Sequence, residues 1–276
     1  METPASSPPW QPITFGGAAA FSRASFGRLF LTQSIVALLV AASVLWFAIS
    51  TWFPTIQNAI ARLPETGAIR NGRLEWSGPS PASLAEGAFL AVIVDVEGNN
   101  RIGQSSDVQL ELERGQFKIC SLFGCVAVPY PTDRTIVLNR GEVEPGWGAW
   151  RPFLLVGIGA GVVVGLMASW LVLATLYSLP LRLIMFYADR HVHWPGCWRI
   201  AAAAQLPGAL LMSGAIFLYA FHRLNLVGFL FAWLLHAVIG WIYLGIAPAR
   251  LPRLAGAPRR RGNPFGGEKK KKRFGE

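Results

Sequence analysis

Four uncharged apolar runs divide the chain: Leu29–Phe53, Phe153–Tyr177, Ile200–Phe221 and Leu226–Ile246. A bilayer core about 30 Å thick is crossed by roughly 20 residues rising 1.5 Å each, so each run predicts a transmembrane helix. A cleavable leader would have a shorter apolar region followed by small residues. The first run instead ends in Trp46, Trp52 and Phe53, which predicts a retained anchor. Pro207 falls in the first half of the third run, and only His222–Asn225 separate it from the fourth, so those two predict an antiparallel hairpin. Beyond the second run, Leu179–Ala188 carries Pro180 and Arg182 and predicts an interfacial segment.

Between the first two runs the pattern changes from continuous to alternating. Arg70–Trp76 reads as a strand entered through the Asn71-Gly72 turn, and Phe89–Val96 as a buried strand closed by Glu97-Gly98-Asn99-Asn100. Val108–Glu113 alternates strictly, which places Val108, Leu110 and Leu112 on one face and leaves Glu111 and Glu113 on a face expected to be solvated. Arg114-Gly115 turns the chain into Phe117–Cys120, and Cys125–Val128 and Thr135–Leu138 follow. With a short helix at Thr55–Arg62, this predicts a small β-rich domain able to bury a modest core of its own.

The predicted fold is therefore an α-helical integral membrane protein with four transmembrane helices and an inserted extracytoplasmic β-rich domain. Its parts are a flexible cytoplasmic leader (1–28), a first span (29–53), the β-rich domain (54–151) and a second span (152–178). A cytoplasmic interfacial loop (179–199), a third span (200–221), a fourth span (226–246) and a polybasic cytoplasmic tail (247–276) complete it.

Composition agrees with this class. Of 276 residues, 53% are hydrophobic and 14% charged, against about 25% charged in soluble domains. That excludes a soluble globular domain and a disordered chain. The net charge of +10 is mostly local, because Arg250–Glu276 holds ten Lys/Arg against two acids. Short basic segments mark the cytoplasmic side. Arg23, Arg28, Arg182, Arg190, Arg199 and the tail all fall on the side of the termini, so both termini are expected inside a bacterial inner membrane.

Candidate chemistry is sparse. Gly157, Gly161, Gly165 and Ser169 recur every four residues, which lines small residues along one helix face and predicts a helix-packing seam. His236 lies near mid-span, where an ionisable group is costly and hence informative; Ser43 and Ser213 are also near mid-span and could share a hydrogen bond with it. No Asp, Glu, Lys or Arg occurs inside the four runs, which argues against a carboxylate-relay transporter. Cys120 and Cys125 flank a four-residue turn on the predicted oxidising side and form a candidate disulfide. Cys197 falls on the reducing side as a free thiol.

His191 and His193, near Asp189 and Cys197, lack recognisable zinc-ligand spacing and read as a polar interfacial loop. Leu63-Pro64-Glu65-Thr66-Gly67 spells a sortase signal in the wrong context, ahead of a folded domain. The tail runs Arg259, Arg260, Arg261 and Lys269, Lys270, Lys271, Lys272, Arg273 suit anionic lipid headgroups. They lack the aromatic interleaving that nucleic acid would call for. No GxSxG, HExxH or P-loop occurs, and no catalytic residue, cofactor or metal is expected.

The order of parts resembles a group of uncharacterised bacterial inner-membrane proteins, some associated with maltodextrin-utilisation gene clusters and distantly Yip-like in their membrane part. The residues that carry the resemblance are Pro64, Ile69-Arg70-Asn71-Gly72-Arg73-Leu74, Val92-Ile93-Val94-Asp95, and Arg199-Ile200-Ala201 through Pro207. The two cysteines and the polybasic tail depart from it, and it implies no activity and no catalytic residues. The functional expectation is a non-enzymatic subunit or assembly factor of a larger membrane complex, with the β domain meeting a protein partner or ligand. The alternative is a small-molecule permease or channel component with His236 and the mid-span serines lining its path.

Overall fold

The computed structural model describes residues 11–98, 103–190 and 192–252. Among the described residues, seven α-helices fall in two groups on either side of a run of eight strands. Helix α1 (Phe15–Ala20), α2 (Phe26–Phe47) and α3 (Phe53–Ala61) precede the strands, and α4 (Arg140–Tyr187), α5 (Trp194–Ala203), α6 (Leu206–Ala220) and α7 (Leu226–Ile246) follow them. By length and composition, four helical stretches can cross a membrane: Phe26–Ala61, Arg140–Tyr187, Trp194–Ala220 and Leu226–Arg250.

The first stretch is longer than its apolar run. A single π-helical turn, Ala48–Trp52, joins α2 to α3. Pro54 sits in the first turn of α3 and has no N–H to donate to the Ser50 carbonyl, so the regular ladder opens there. The hydroxyls of Ser50 and Thr51 donate instead to the Trp46 and Phe47 carbonyls (2.7 and 2.6 Å). The expected separate helix at 55–62 is thus a continuation of the first span into the β domain.

Helix α4 corrects two boundaries. Its 48 residues extend about 72 Å, more than twice a bilayer core. Residues 140–151, expected in the β domain, form its first turns, capped by Asn139, whose side chain accepts from Glu142 N–H. Leu179–Ala188, expected as an interfacial segment, continues the same helix through Pro180 to Tyr187. The 179–199 loop shrinks accordingly, because α5 already begins at Trp194. The third span breaks at Ala204-Gln205, and Pro207 stands in the first turn of α6, where a missing N–H costs nothing.

The leader is a further correction. Between Thr14 and Ala24 it folds and is partly buried: Thr14 caps α1 by accepting from Gly17 N–H at 3.0 Å, and Ala18 and Phe21 are fully enclosed. They pack with Cys197, Ile200 and Ala201 of α5 and with Tyr243 and Leu244 of α7. The Tyr243 hydroxyl donates to the Ile13 carbonyl and the Arg199 guanidinium to the Ala24 carbonyl. Small Ala and Gly positions let this segment wedge between helices, whereas their lack of periodicity reads as looseness in one dimension. A second core joins Val36, Ala37 and Val40 of α2 to Trp170 of α4 and Leu206 and Ala209 of α6.

The strands form two sheets. β1 (Gly67–Arg70) pairs with β2 (Arg73–Trp76) across Asn71-Gly72, both at positive φ, and with β8 (Ile136–Val137). The larger sheet runs β3 (Ala82–Glu86), β4 (Leu90–Val94), β5 (Val108–Leu112), β6 (Gln116–Ser121), β7 (Gly124–Pro129) in that order. All neighbours are antiparallel except β4 and β5, which run parallel and need the crossover between them. The domain core sits between the sheets and α3, around Ala59, Ile69, Leu74, Leu84, Val94 and Tyr130.

Candidate functional site

The least expected feature of the domain is a buried polar face. Register places Gln109 and Glu111 of β5 beside Ala91 and Ile93 of β4 and beside Cys120 and Lys118 of β6, and Glu113 follows just past the end of β5. Alternation alone predicts this face to be solvated. It is buried instead, with Gln109 1%, Glu111 7% and Glu113 8% exposed, while Val108, Leu110 and Leu112 on the other face are only half-buried. Described residues at both ends of the β4–β5 crossover lie against this face. Ser105 N–H donates to Gln109 Oε1 at 3.1 Å, and a Cβ added at Gly98 would be in ordinary contact with Glu113 Oε1, at 3.5 Å.

Inside this face Lys118 is the cation that Glu113 pairs with and that Glu111 and Asp95 also act on. Lys118 Nζ forms an ion pair with Glu113 Oε1, Gln116 Nε2 donates to Glu113 Oε2 at 2.7 Å, and Gln109 Nε2 donates to Glu111 Oε1 at 2.6 Å. Burial pushes the Glu113 carboxyl up, but the hydrogen bonds from Lys118 and Gln116 and the charge of Lys118 outweigh it and hold the group below its ordinary value. The hydrogen bond to Glu113 holds Lys118 above its ordinary value, with Glu111 and Asp95 adding to it. Tyr130 is pushed up, first by burial and then by the charge of Glu113. The pairing of Glu113 with Lys118 thus favours the charged form of each. Among the described residues no group of three His, Cys, Asp or Glu is disposed to hold a metal.

A second assembly joins the domain to the helices. Tyr219, near the end of α6, donates to Asp107 Oδ2 at 2.5 Å. Phe89, just ahead of β4, packs on Tyr219 (4.7 Å between ring centroids) and stacks on His222 (4.8 Å), and Phe47 and Phe229 close on the same tyrosine. Ser106 completes the joint by donating to the Gly87 carbonyl. Sequence reading missed these residues. Their signal was present only as aromatic and acidic residues at the ends of predicted elements.

The predicted site residues do not converge. Cys120 and Cys125 are joined as a disulfide, with Cα atoms 4.0 Å apart across the β6–β7 turn. Gly157, Gly161, Gly165 and Ser169 face outward along α4, and nothing approaches within 4 Å of a Cβ placed on any of the three glycines. Gly159, one position off that row, meets Leu45 of α2 instead. His236 and Ser43 do not share a hydrogen bond: the imidazole Nδ1 is bonded to the Trp233 carbonyl of its own helix, and Ser43 donates to Val40 O at 2.7 Å. Ser213 Oγ is buried without a partner. The contact made at His236 is with its backbone, because Gly208 of α6 packs where a Cβ would lie 2.5 Å from the His236 carbonyl oxygen.

At the end of the bundle away from the domain, a cavity of about 690 Å³ is lined by Arg182, Asp189, Arg190 and His193 together with apolar side chains that include Met185 and Trp194. Cys197 is buried beside it and donates to Val192 O. The tail residues Arg259, Arg260, Arg261, Lys269, Lys270, Lys271, Lys272 and Arg273, and His191, lie outside the described residues.

Comparison of the chain with protein-family models, with curated proteins and with solved structures found no match.

Proposed function

We propose that this protein is a non-enzymatic subunit or assembly factor of a larger membrane complex, set in a bacterial inner membrane with both termini cytoplasmic and the β domain outside. The observation that carries the reading is the outward row Gly157, Gly161, Gly165 and Ser169. Small residues at four-residue spacing let helix backbones approach closely and gain van der Waals contact, and this chain leaves that row uncovered. A second helix from a protein partner is what such a surface accommodates. The β domain supports the same reading, since it is anchored on the helices through Asp107 and Tyr219. In the permease reading His236, Ser43 and Ser213 line one path, yet the first two bond within their own helices.

Gly161→Leu tests the proposal. Tagged wild type and variant are purified in mild detergent and compared by mass spectrometry. A stoichiometric partner present with wild type and lost with Gly161→Leu is the expected result. A wild-type preparation free of any partner overturns it, as does a partner retained undiminished by the variant.

A further inference from the structure

We propose that the β6–β7 hairpin tip, Leu122-Phe123, is a lipid-contacting anchor that dips into the bilayer surface beside the helix bundle. The proposal rests on the spans lying in a membrane and is independent of any protein partner.

Direction within the domain comes from α3. Thr55, early in α3, lies against Gly87 just before β4, whereas Ala59, one turn later, packs in the core with Val94 at the far end of β4. Since α3 continues the first span, β4 runs away from the membrane and its start is the membrane end of the sheet. Phe89 and Asp107 confirm that level, because both touch Tyr219 at the end of α6.

Register then carries the level across the sheet. Leu90 pairs with Val108, Val108 with Ser121, and Ser121 with Gly124. The turn between Ser121 and Gly124 is therefore level with Asp107, about 5–10 Å to one side at the spacing of neighbouring strands. Were the turn above the bundle, helices would cover it. Instead Leu122 is 55% and Phe123 82% exposed, so the tip overhangs the space beside the helices, which lipid fills.

The chemistry of the hairpin suits that place. No charged residue occurs from Ile119 to Pro131, and every residue of β7 is exposed. In water such an uncharged edge invites aggregation, whereas at a bilayer surface its apolar tip is solvated by acyl chains and headgroups. The Cys120–Cys125 disulfide holds the two strands together directly behind the tip, so little order is lost when the side chains enter lipid.

Photo-crosslinking in vesicles of phosphatidylethanolamine and phosphatidylglycerol tests this with the full chain. p-Benzoylphenylalanine replaces Phe123, an exposed position of similar shape. The same residue at Val164, outward on α4, reports whether the spans lie in lipid, and at Asp133, beyond the far end of β7, it reports background. The expected result is lipid adducts at 123 about tenfold above those at 133, an occupancy ratio equivalent to about 1.4 kcal/mol. Adducts to lipid at 164 but none above background at 123 overturn the anchor and leave the spanning reading intact. Adducts at 123 to another copy of the chain overturn it in favour of a protein contact. Absence of lipid adducts at 164 removes the spanning reading and the anchor with it.

Discussion

Tyr219 of α6 and Asp107 of the β4–β5 crossover, 112 positions apart in the chain, share a hydrogen bond of 2.5 Å that ties the β domain to the helix bundle. Asp107 immediately precedes β5, and its neighbour Ser106 is tied to Gly87 ahead of β4. One phenol thus anchors the starts of both parallel strands, and the whole sheet takes its level from that point.

Tyr219→Phe should loosen the joint while sparing the ring packing with Phe89 and Phe47. A hydrogen bond to a charged group contributes about 1.5–3 kcal/mol. Amide exchange in 103–109 should therefore quicken by about tenfold or more, with the centre of α2 unchanged. Unaltered exchange in that segment would show that the aromatic packing alone holds the domain.

Lys118→Met should destabilise the domain by about 3 kcal/mol, near the low end for stranding one partner of a buried ion pair, since the Lys118 side chain is 20% exposed. Adding Glu113→Gln should recover much of the loss, because the stranded charge disappears. Urea unfolding of the full chain, read from β-domain amides, checks both. A double variant worse than the single would contradict the pairing.

The pH dependence follows from the directions of the two shifts. Glu113 is held below its ordinary value, so its contribution is present above about pH 4.3 and is lost as pH falls through the depressed value. Lys118 is held above its ordinary value, so its contribution is complete below about pH 10.4 and is lost as pH rises through the elevated value. Between these limits the pair makes stability flat, and Glu113→Gln should remove its share of the acid limb. Domain stability measured from pH 3 to 6, roughly the window around the free carboxyl value, decides this.

Two glycines should respond in opposite ways to the same change. Gly208→Ala places a Cβ 2.5 Å from the His236 carbonyl oxygen, so α6 and α7 must separate, at a cost of about 1–3 kcal/mol. Gly161→Ala meets open space and should leave monomer stability within about 0.5 kcal/mol. Thermal unfolding in detergent separates them. Equal losses at both sites would mean that α4 packs against another helix within the same chain.

Local pattern located four helices long and apolar enough to cross a membrane, and several boundaries. Asn225 caps α7, accepting from Gly228 N–H at 2.8 Å, and the helix runs Leu226–Ile246 as its apolar run predicts. The Asn71-Gly72 turn and the alternation of Val108–Leu112 are equally local, and both strands stand where the pattern puts them. Such features follow from neighbouring residues: a cap from its own first turn, a strand from its period of two, a span from its length in apolar residues.

Which face of a strand or helix is covered belongs to contacts far along the chain. Periodicity divides β5 into an apolar and a polar face, yet the polar one is buried, and its partners come from β5 itself, from Gln116 and Lys118 of β6 and from Ser105 of the crossover. Period four marks the small-residue row on α4, yet only the packed bundle shows that α2 meets Gly159 and leaves Gly161 open. The leader of Ala, Gly and Ser has no period at all and is still enclosed, because small side chains fit wherever helices leave a narrow gap. A sequence specifies each element through short-range sterics and hydrogen bonding; burial is settled by whatever distant surface arrives to exclude water.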